Sequence, residues 1–271
     1  MTPVNLGAAV ITGASSGIGE AFARHLAARG HSLVLVARRS ERLALLAGEL
    51  TRQHSVQVEV IKADLSDMMD IERVEKRLAE HPCVDLLVNN AGFGTSAAFA
   101  ASDALVHQAM INVHVGACVR FASAVLPGMI SRRRGAIITV SSLAAFFPRP
   151  RRVMYCATKA FLVTFARALS SEVANHGIRV LVLCPGFTRT EFHSSLDEEG
   201  RAMAAKLPRI FWMSPGEVVD HSLKALGGRS PVYIPGVVNH ILFFAAQSRI
   251  GRAIARCAMR LLYARGNGLI L

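Results

Sequence analysis

Short apolar segments alternate with helix-forming segments along most of the chain. We predict strands over 8–12, 32–36, 56–61, 84–88, 136–140, 178–184 and 232–234. Between two of them, Leu43, Leu46 and Leu50 recur at the spacing of one helical face. Apolar strands separated by helices are typical of a parallel sheet covered on both faces, since each crossover places a helix over the sheet. We therefore expect an α/β fold, a doubly wound parallel sheet of the Rossmann type in a single domain.

Composition limits the classes of protein that this chain can be. Its 271 residues are 52% hydrophobic, which excludes a disordered chain. The net charge of +12 suits phosphates, nucleic acid or an anionic membrane, although an arginine-rich composition alone accounts for it as well. The five cysteines lack CxxC spacing and the histidines lack ligand spacing, so we expect no disulfide framework and no metal site. Without a signal-peptide pattern, a cytoplasmic protein is expected.

A glycine-rich loop follows the first predicted strand. It reads Thr12-Gly13-Ala14-Ser15-Ser16-Gly17-Ile18-Gly19 and leads into the first predicted helix. Glycines let a backbone approach a pyrophosphate, and a helix N-terminus offers free N–H groups to it. The spacing Gly-x-x-x-Gly-x-Gly differs from the commoner Gly-x-Gly-x-x-Gly fingerprint. The loop predicts a dinucleotide site, and a glycine-rich turn without a ligand is the alternative.

Two arginines stand where the second predicted strand ends. An acidic residue at this place binds the ribose 2′-hydroxyl of NAD, but here the chain reads Ala37-Arg38-Arg39. Guanidinium groups suit a 2′-phosphate, because they form bidentate charge-assisted hydrogen bonds. We predict NADP(H), with NAD(H) second, unless Arg38 and Arg39 only begin a solvated helix.

A tyrosine and a lysine lie four residues apart near the start of a predicted apolar helix. Tyr155 and Lys159 therefore share one helical face. A nearby ammonium group favours the phenolate, so we expect Lys159 to lower the pKa of Tyr155. Tyr155 is then a candidate general acid for a carbonyl oxygen, or a general base for an alcohol.

With these motifs the sequence resembles the short-chain dehydrogenase/reductase family in its Tyr-x-x-x-Lys form, over roughly residues 8–235. The remaining matches follow in the family's order: Asp64-Leu65, Asn89-Asn90-Ala91-Gly92, Asn112, Ser142, and Pro185-Gly186 with Thr188 and Thr190. The resemblance implies a catalytic tetrad of Asn112, Ser142, Tyr155 and Lys159. It also implies a homodimer or homotetramer.

The same resemblance implies a role for each matched residue. Lys159 binds the nicotinamide ribose, Ser142 holds the substrate oxygen, and Asn112 relays protons to Lys159 through its backbone and a water. The implied cofactor-binding set is Gly13, Ser15, Ser16, Gly17, Ile18, Gly19, Arg38, Arg39, Asp64, Leu65, Asn90, Ala91, Gly92, Tyr155, Lys159, Pro185, Gly186, Thr188 and Thr190. Hydride then passes between the nicotinamide and the substrate carbon. A member that binds NADP without turnover remains the alternative.

Aromatic residues on loops at the carboxyl ends of the predicted strands favour a lipophilic ketone or alcohol as substrate. These candidates, with Ser142, are Phe93, Phe147, Phe187 and Trp212. The segment 187–213 is longer than an ordinary connection between a strand and a helix. We therefore predict that it forms a lid or substrate loop. Arg149, Arg151 and Arg152 either contact an anionic carrier of the substrate or form a solvated basic loop.

The chain continues past 235 with two predicted helices, 237–247 and 249–264. Arg249, Arg252, Arg256 and Arg260 form one stripe of the second helix, and Ile250, Ile254, Cys257 and Leu261 form another. Such a basic amphipathic helix lies on an anionic membrane surface, or it packs on its own domain or on a sister subunit. We interpret 1–235 as the oxidoreductase domain and 236–271 as a helical extension. Nucleic-acid binding is not expected, since the tail lacks a base-reading module.

Overall fold

A seven-stranded parallel sheet forms the centre of the computed structural model, which describes residues 7–95, 97–193 and 207–247. In chain order the strands are β1 (Ala8–Thr12), β2 (Leu33–Ala37), β3 (Val58–Lys62), β4 (Val84–Asn89), β5 (Gly135–Val140), β6 (Ile178–Leu183), β7 (Phe187–Thr188), β8 (Trp212–Met213) and β9 (Val232–Tyr233). The large sheet has the order β3-β2-β1-β4-β5-β6-β9, and β7 pairs separately with β8. The predicted Rossmann-type fold is confirmed.

Helices cover both faces of this sheet. They are α1 (Gly17–Ala27), α2 (Ser40–His54), α3 (Met68–Ala79), α4 (Ala104–Ile111), α5 (Ala117–Arg132), α6 (Val153–Val173), α7 (Pro215–Ala225) and α8 (Val237–Gln247). A π-helical turn, Asn112–Gly116, joins α4 to α5. Single 3₁₀ turns occur at Phe99–Ala101, Leu143–Ala145, Ala174–His176, Glu191–His193 and Arg209–Phe211.

Two apolar layers hold the helices on the sheet. On one side Ile71 of α3, Phe121 of α5 and Ala166 of α6 are fully buried. On the other side Phe22 of α1 and Leu43 of α2 are fully buried, together with α7 residues. Because strand residues alternate between these layers, β1, β2 and β4 are buried along their whole length. This burial explains why their sequences are continuously apolar.

Chain order places the functional loops at one edge of the sheet. Parallel strands all end at the same edge, and β1 lies between β2 and β4. The loops after β1, β4, β5 and β6 therefore converge at that edge. These loops hold the glycine motif, Asn89-Asn90-Ala91-Gly92, Ser142 and Pro185-Gly186.

The region after β6 is described only in part. It begins with β7 and the turn Glu191–His193, and the described chain resumes at 207, before β8. The helix after β8 begins at a reciprocal capping box, which Ser214 and Glu217 form at the start of α7. The first predicted C-terminal helix is α8, whereas the second, 249–264, lies outside the described residues.

The run Ala104–Arg132 is long and apolar enough to cross a membrane by length and composition alone. It comprises α4, the π turn and α5. Its side chains Met110, Phe121 and Met129 are buried in the protein. The core helix of a soluble protein passes the same test, so this run is weak support for a membrane span.

Candidate active site

The glycine loop packs closely against the loop after β4, at positions where a larger residue would not fit. Gly13 and Gly17 have φ of +66° and +60°, which L side chains rarely adopt. A Cβ on Gly13 would lie 2.8 Å from Nδ2 of Asn90, and one on Gly19 would collide with the carbonyl oxygen of Gly13. The glycines therefore allow this loop to pack closely against the backbone and side chain of the β4 loop.

Hydrogen bonds from the β4 loop fix this glycine loop in place. The hydroxyl of Thr12 accepts the backbone N–H groups of Asn90 and Ala91, each at 3.0 Å. In return, Nδ2 of Asn90 donates to the carbonyl of Thr12 at 2.9 Å. Asn90 is therefore a structural link between two strand ends. Its neighbour Asn89 is buried instead and donates to Cys118.

The two arginines after β2 are placed differently. Arg39 donates from Nε to the hydroxyl of Ser15 at 3.1 Å and from Nη2 to the hydroxyl of Ser16 at 2.6 Å. It also forms an ion pair with Glu191. Arg38 is largely exposed and has Asp64 at 3.9 Å. Arg39 thus lies over the glycine loop, whereas Arg38 points toward the loop after β3.

Asp64 and Leu65 follow β3 at the same edge. The Asp64 carboxylate accepts the backbone N–H of Ser66 at 3.0 Å and its hydroxyl at 2.7 Å. Leu65 is buried. The turn also receives Asn112, whose Nδ2 donates to the carbonyl of Ser66 at 2.8 Å. Asn112 itself opens the π turn, a distortion that is common at functional sites. Its predicted relay to Lys159 stays a prediction.

Tyr155 and Ser142 lie together at the end of β5. Tyr155 is on the first turn of α6 and its ring is buried. Burial raises the pKa of its phenol above 10, and a hydrogen bond with Ser142 is the largest opposing effect. The adjacent Ser141 donates instead to the backbone of Lys159 at 2.7 Å. The hydroxyl that meets the phenol is therefore that of Ser142.

Lys159 is buried one turn further along α6. Its Nζ donates to the carbonyl of Val140 at 2.8 Å and lies 5.8 Å from the centre of the Tyr155 ring. Burial lowers its pKa from 10.5 to about 8. The expectation that Lys159 lowers the pKa of Tyr155 is therefore wrong for this structure. Desolvation of the phenol outweighs the hydrogen bond with Ser142 and the charges of Arg152 and Arg149, which lower its pKa.

His114 is a buried residue of the site that sequence reasoning missed. Its Nε2 accepts the backbone N–H of Phe93 at 3.1 Å, so Nδ1 carries the proton and donates to the hydroxyl of Thr158 at 2.8 Å. Its ring meets that of Tyr155 edge-on at 5.9 Å. Burial, followed by the charge of Lys159, lowers its pKa well below 6.5. A neutral imidazole therefore connects the β4 loop to the turn of α6 that holds Tyr155. No spacing pattern in the sequence indicated this role for His114.

The aromatic candidates divide into two groups. Phe93 packs with Tyr155 and Met110, and so does Phe192, whose ring centre lies 5.8 Å from that of Tyr155. Sequence reasoning missed Phe192. Phe187 and Trp212 instead pack on each other across the β7–β8 pair, with ring centres 5.4 Å apart.

Two further expectations concern residues around the start of α6. The carbonyl of Phe147 accepts the thiol of the buried Cys156 at 3.7 Å, so this thiol points into the protein. Arg152 and Arg149 lie close enough to Tyr155 to favour its phenolate. The loop that holds Arg149 and Arg152 therefore borders the turn of α6 that carries Tyr155.

The segment after β6 packs against both the site and α8. The carbonyl of Pro185 accepts the N–H of Leu143 at 2.9 Å, and Asn239 of α8 is packed against Gly186. Thr188 is buried, while Thr190 lies beside the glycine loop, 2.9 Å from a Cβ placed on Gly17. Within the described residues, no three His, Cys, Asp or Glu side chains are grouped to hold a metal.

Solved structures resemble the whole described chain. A short-chain dehydrogenase from Sphingobium yanoikuyae, solved in complex with NADPH, is 34% identical, with 98% of each chain covered and a TM-score of 0.78. The bulky-bulky ketone specific alcohol dehydrogenase from Comamonas testosteroni is 30% identical, with 98% of this chain and 96% of that chain covered and a TM-score of 0.76.

Curated relatives match over most of this chain. A very-long-chain 3-oxoacyl-CoA reductase from Anas platyrhynchos is 38% identical over 68% of this chain. An inactive hydroxysteroid dehydrogenase-like protein 1 from Homo sapiens is 33% identical over 81% of it. These matches cover only 60% and 65% of the two relatives. The family model of the short chain dehydrogenases matches residues 7–201. Together with the fold and the site, these matches show that the chain belongs to the short-chain dehydrogenase/reductase family.

Proposed function

We propose that this oxidoreductase uses NADP(H) to interconvert a ketone and a secondary alcohol on a lipophilic substrate. The observation that carries this proposal is the meeting of Ser142, Tyr155 and Lys159 beside Phe93 and Phe192. A proton donor and a hydroxyl for the substrate oxygen thus lie next to apolar side chains. The protonated phenol, which the raised pKa of Tyr155 favours, is the form that carbonyl reduction uses.

The residues of the site have distinct parts in this chemistry. Because burial keeps the Tyr155 phenol protonated, Tyr155 acts as a general acid that gives its proton to the carbonyl oxygen. Ser142 holds that oxygen within reach of the phenol. Lys159, with its lowered pKa, would hold the nicotinamide ribose hydroxyls and would be the residue that supplies a proton to the site. His114 and Thr158 fix the turn of α6 that carries Tyr155.

The residues around the glycine loop fit a dinucleotide with a 2′-phosphate. The glycines let the loop pack closely on the β4 loop, and Arg39 beside it already binds an anionic group. NADP(H), when bound, supplies the hydride or accepts it. The neighbours solved with NADPH support this cofactor by similarity.

The substrate class rests on side chains near Tyr155 and on the relatives. Phe93, Met154 and Phe192 give the phenol an apolar border. Relatives named for 3-oxoacyl-CoA and for bulky ketones are consistent with a long or bulky ketone. Arg149 and Arg152 would then face the anionic part of an acyl thioester. The relative named as inactive gives the second candidate function, an NADP-binding protein without turnover.

We also propose peripheral contact with an anionic membrane, from a cytoplasmic location. Val237, Ile241 and Phe244 form an exposed apolar stripe along α8, beside the exposed Ile210. Residues 236–271 contain five arginines and no acidic residue. Exposed apolar residues on α4 and α6, such as Leu105 and Phe161, support the homo-oligomer that the family resemblance implies.

The first prediction concerns the general acid. Tyr155→Phe should lower kcat/KM for ketone reduction by about 10²- to 10⁴-fold, the usual worth of a positioned acid, and should leave the Kd of NADPH nearly unchanged. NADPH consumption is measured on methyl ketones and 3-oxoacyl thioesters of increasing chain length. Tyr233→Phe, outside the site, is the matched control. Retained turnover in Tyr155→Phe contradicts the mechanism, and NADPH binding without turnover of any substrate by the wild type favours the second candidate function.

The second prediction concerns the cofactor. Arg39→Ala should weaken NADPH binding by about 10- to 100-fold, because a charge-assisted hydrogen bond contributes about 1.5–3 kcal/mol. NADH binding should change much less. Arg38→Ala is the control and should have the smaller effect, since Arg38 lies farther from the glycine loop. Equal losses for NADPH and NADH in fluorescence titrations would refute the assignment of a 2′-phosphate site to Arg39.

The third prediction concerns the stability cost of Lys159. Lowering its pKa from 10.5 to about 8 costs the folded state about 3 kcal/mol, and its hydrogen bond to Val140 offsets about 1 kcal/mol. Lys159→Met should therefore abolish activity but raise the free energy of unfolding by about 2 kcal/mol below pH 8. The gain should disappear between pH 8 and 10.5, because there the unfolded wild type binds more protons than the folded one.

Urea unfolding at pH 7 and pH 10 measures this gain. The exposed Lys224→Met on α7 serves as the control and should change stability little at either pH. A Lys159→Met gain that persists unchanged at pH 10 would show that the ammonium group is not its source.

The fourth prediction concerns the membrane. The wild type should sediment with vesicles rich in phosphatidylglycerol, and much less with phosphatidylcholine vesicles. Phe244→Asp should reduce the bound fraction about tenfold, the effect of losing one buried aromatic side chain. Leu45→Asp, an equally exposed apolar position on α2, should have no effect. Equal sedimentation of both variants and the wild type would exclude α8 as the contact.

A further inference from the structure

One carboxylate occupies the arginine cluster at the edge of the glycine loop. Oε2 of Glu191 lies 2.7 Å from Nη1 of Arg39, and Oε1 lies 2.6 Å from Nη1 of Arg42. The two guanidinium groups thus bind both carboxylate oxygens, and they lower the pKa of Glu191 to about 2. All three side chains are about half exposed. Arg42 lies in the first turn of α2 and was not among the residues predicted from the sequence.

The same cluster belongs to the glycine loop. Arg39 donates to the hydroxyls of Ser15 and Ser16 while it binds Glu191. The Glu191 carboxylate therefore lies where Arg39 would bind an anion presented at this loop. A carboxylate held by two guanidinium groups resembles a phosphate monoester in being an anion that accepts hydrogen bonds from both of them.

Glu191 also belongs to the segment that begins the predicted lid. It follows β7, and its neighbour Thr190 packs beside Gly17. The Glu191 ion pairs therefore fasten the start of this segment over the glycine loop. An anion that replaces Glu191 at Arg39 and Arg42 would break both of these ion pairs.

We propose that Glu191 is a built-in competitor of the cofactor's 2′-phosphate, which displaces it from Arg39 and Arg42. The inference rests on the proposed use of NADP(H) and adds a residue that sets cofactor preference. A phosphate group can displace the carboxylate because it carries more charge and three terminal oxygens. A ribose 2′-hydroxyl is neutral and cannot. Ligands with a 2′-phosphate therefore bear the cost of displacing Glu191, and ligands with a 2′-hydroxyl do not.

A pair of small ligands isolates this competition. Adenosine 2′,5′-bisphosphate carries the 2′-phosphate, adenosine 5′-monophosphate lacks it, and neither contains the nicotinamide. Calorimetric titration of the full-length protein gives the ratio of their affinities. In Glu191→Gln this ratio should rise about three- to tenfold, as expected for the loss of two half-exposed ion pairs. Glu41→Gln, an exposed carboxylate on α2, is the control and should leave the ratio unchanged.

A second variant tests Arg42, which the proposal identifies as a further ligand of the 2′-phosphate. Arg42→Ala should lower the affinity for the bisphosphate and leave that for the monophosphate nearly unchanged, since Arg42 becomes a phosphate ligand after the exchange. This measurement does not depend on how well Glu191→Gln folds. An unchanged bisphosphate affinity in Arg42→Ala contradicts the exchange.

Each outcome separates this inference from the proposed function. If the wild type prefers the bisphosphate but Glu191→Gln keeps or lowers the ratio, Glu191 is not a competitor and this inference fails alone. If the wild type shows no preference for the bisphosphate, the proposed NADP(H) use fails and the inference fails with it. A raised ratio in Glu191→Gln, with the control unchanged, supports both.

Discussion

The parallel sheet, apolar on both faces, is the constraint on which the rest of this protein depends. Strands such as β1 and β4 are buried along their whole length and require helices on both sides. The crossovers that supply those helices make all large-sheet strands end at one edge. The hydroxyl of Thr12, which accepts two N–H groups from the β4 loop, then sets the spacing of the loops at that edge. The positions of Arg39, Tyr155 and Ser142 follow from this arrangement.

The two halves of the site differ in their electrostatics. Around Tyr155 the charged and polar groups are buried, so desolvation dominates: the pKa of Tyr155 rises, while those of Lys159 and His114 fall. Such a site favours proton donation and costs stability. Around Arg39 the side chains are half exposed, and ion pairs there are weak enough to exchange. A buried group of titratable side chains thus lies at the same sheet edge as a half-exposed cluster of ion pairs.

His114 and the π turn that carries it connect the Tyr155 turn of α6 to neighbouring loops. Its imidazole receives a hydrogen bond from the β4 loop and gives one to Thr158, whose hydroxyl donates to backbone carbonyls of the Tyr155 turn. The π turn at Asn112–Gly116 carries His114 and begins with Asn112, which bonds to the loop after β3. One local distortion of a helix therefore connects three of the functional loops.

The sequence by itself determined the fold and the candidate motifs. Alternation of apolar strands and amphipathic helices is a local signal, and so are the spacing of the glycines, the four-residue step from Tyr155 to Lys159 and the Ser214 capping box. The seven strands of the large sheet could be predicted, and burial on both faces leaves a continuous apolar pattern in β1, β2 and β4. The short pair of β7 and β8 lies within 187–213, which was predicted as a loop. The sequence could not give the direction in which the pKa of Tyr155 shifts, because that direction depends on how far the phenol is desolvated. Nor could it show the contacts of His114 and Phe192, or the ion pairs of Glu191 with two arginines. The partners in these contacts lie far apart along the chain, and 149 residues separate Arg42 from Glu191. Those contacts exist only after the sheet brings its loops to one edge, so the tertiary structure alone decided them.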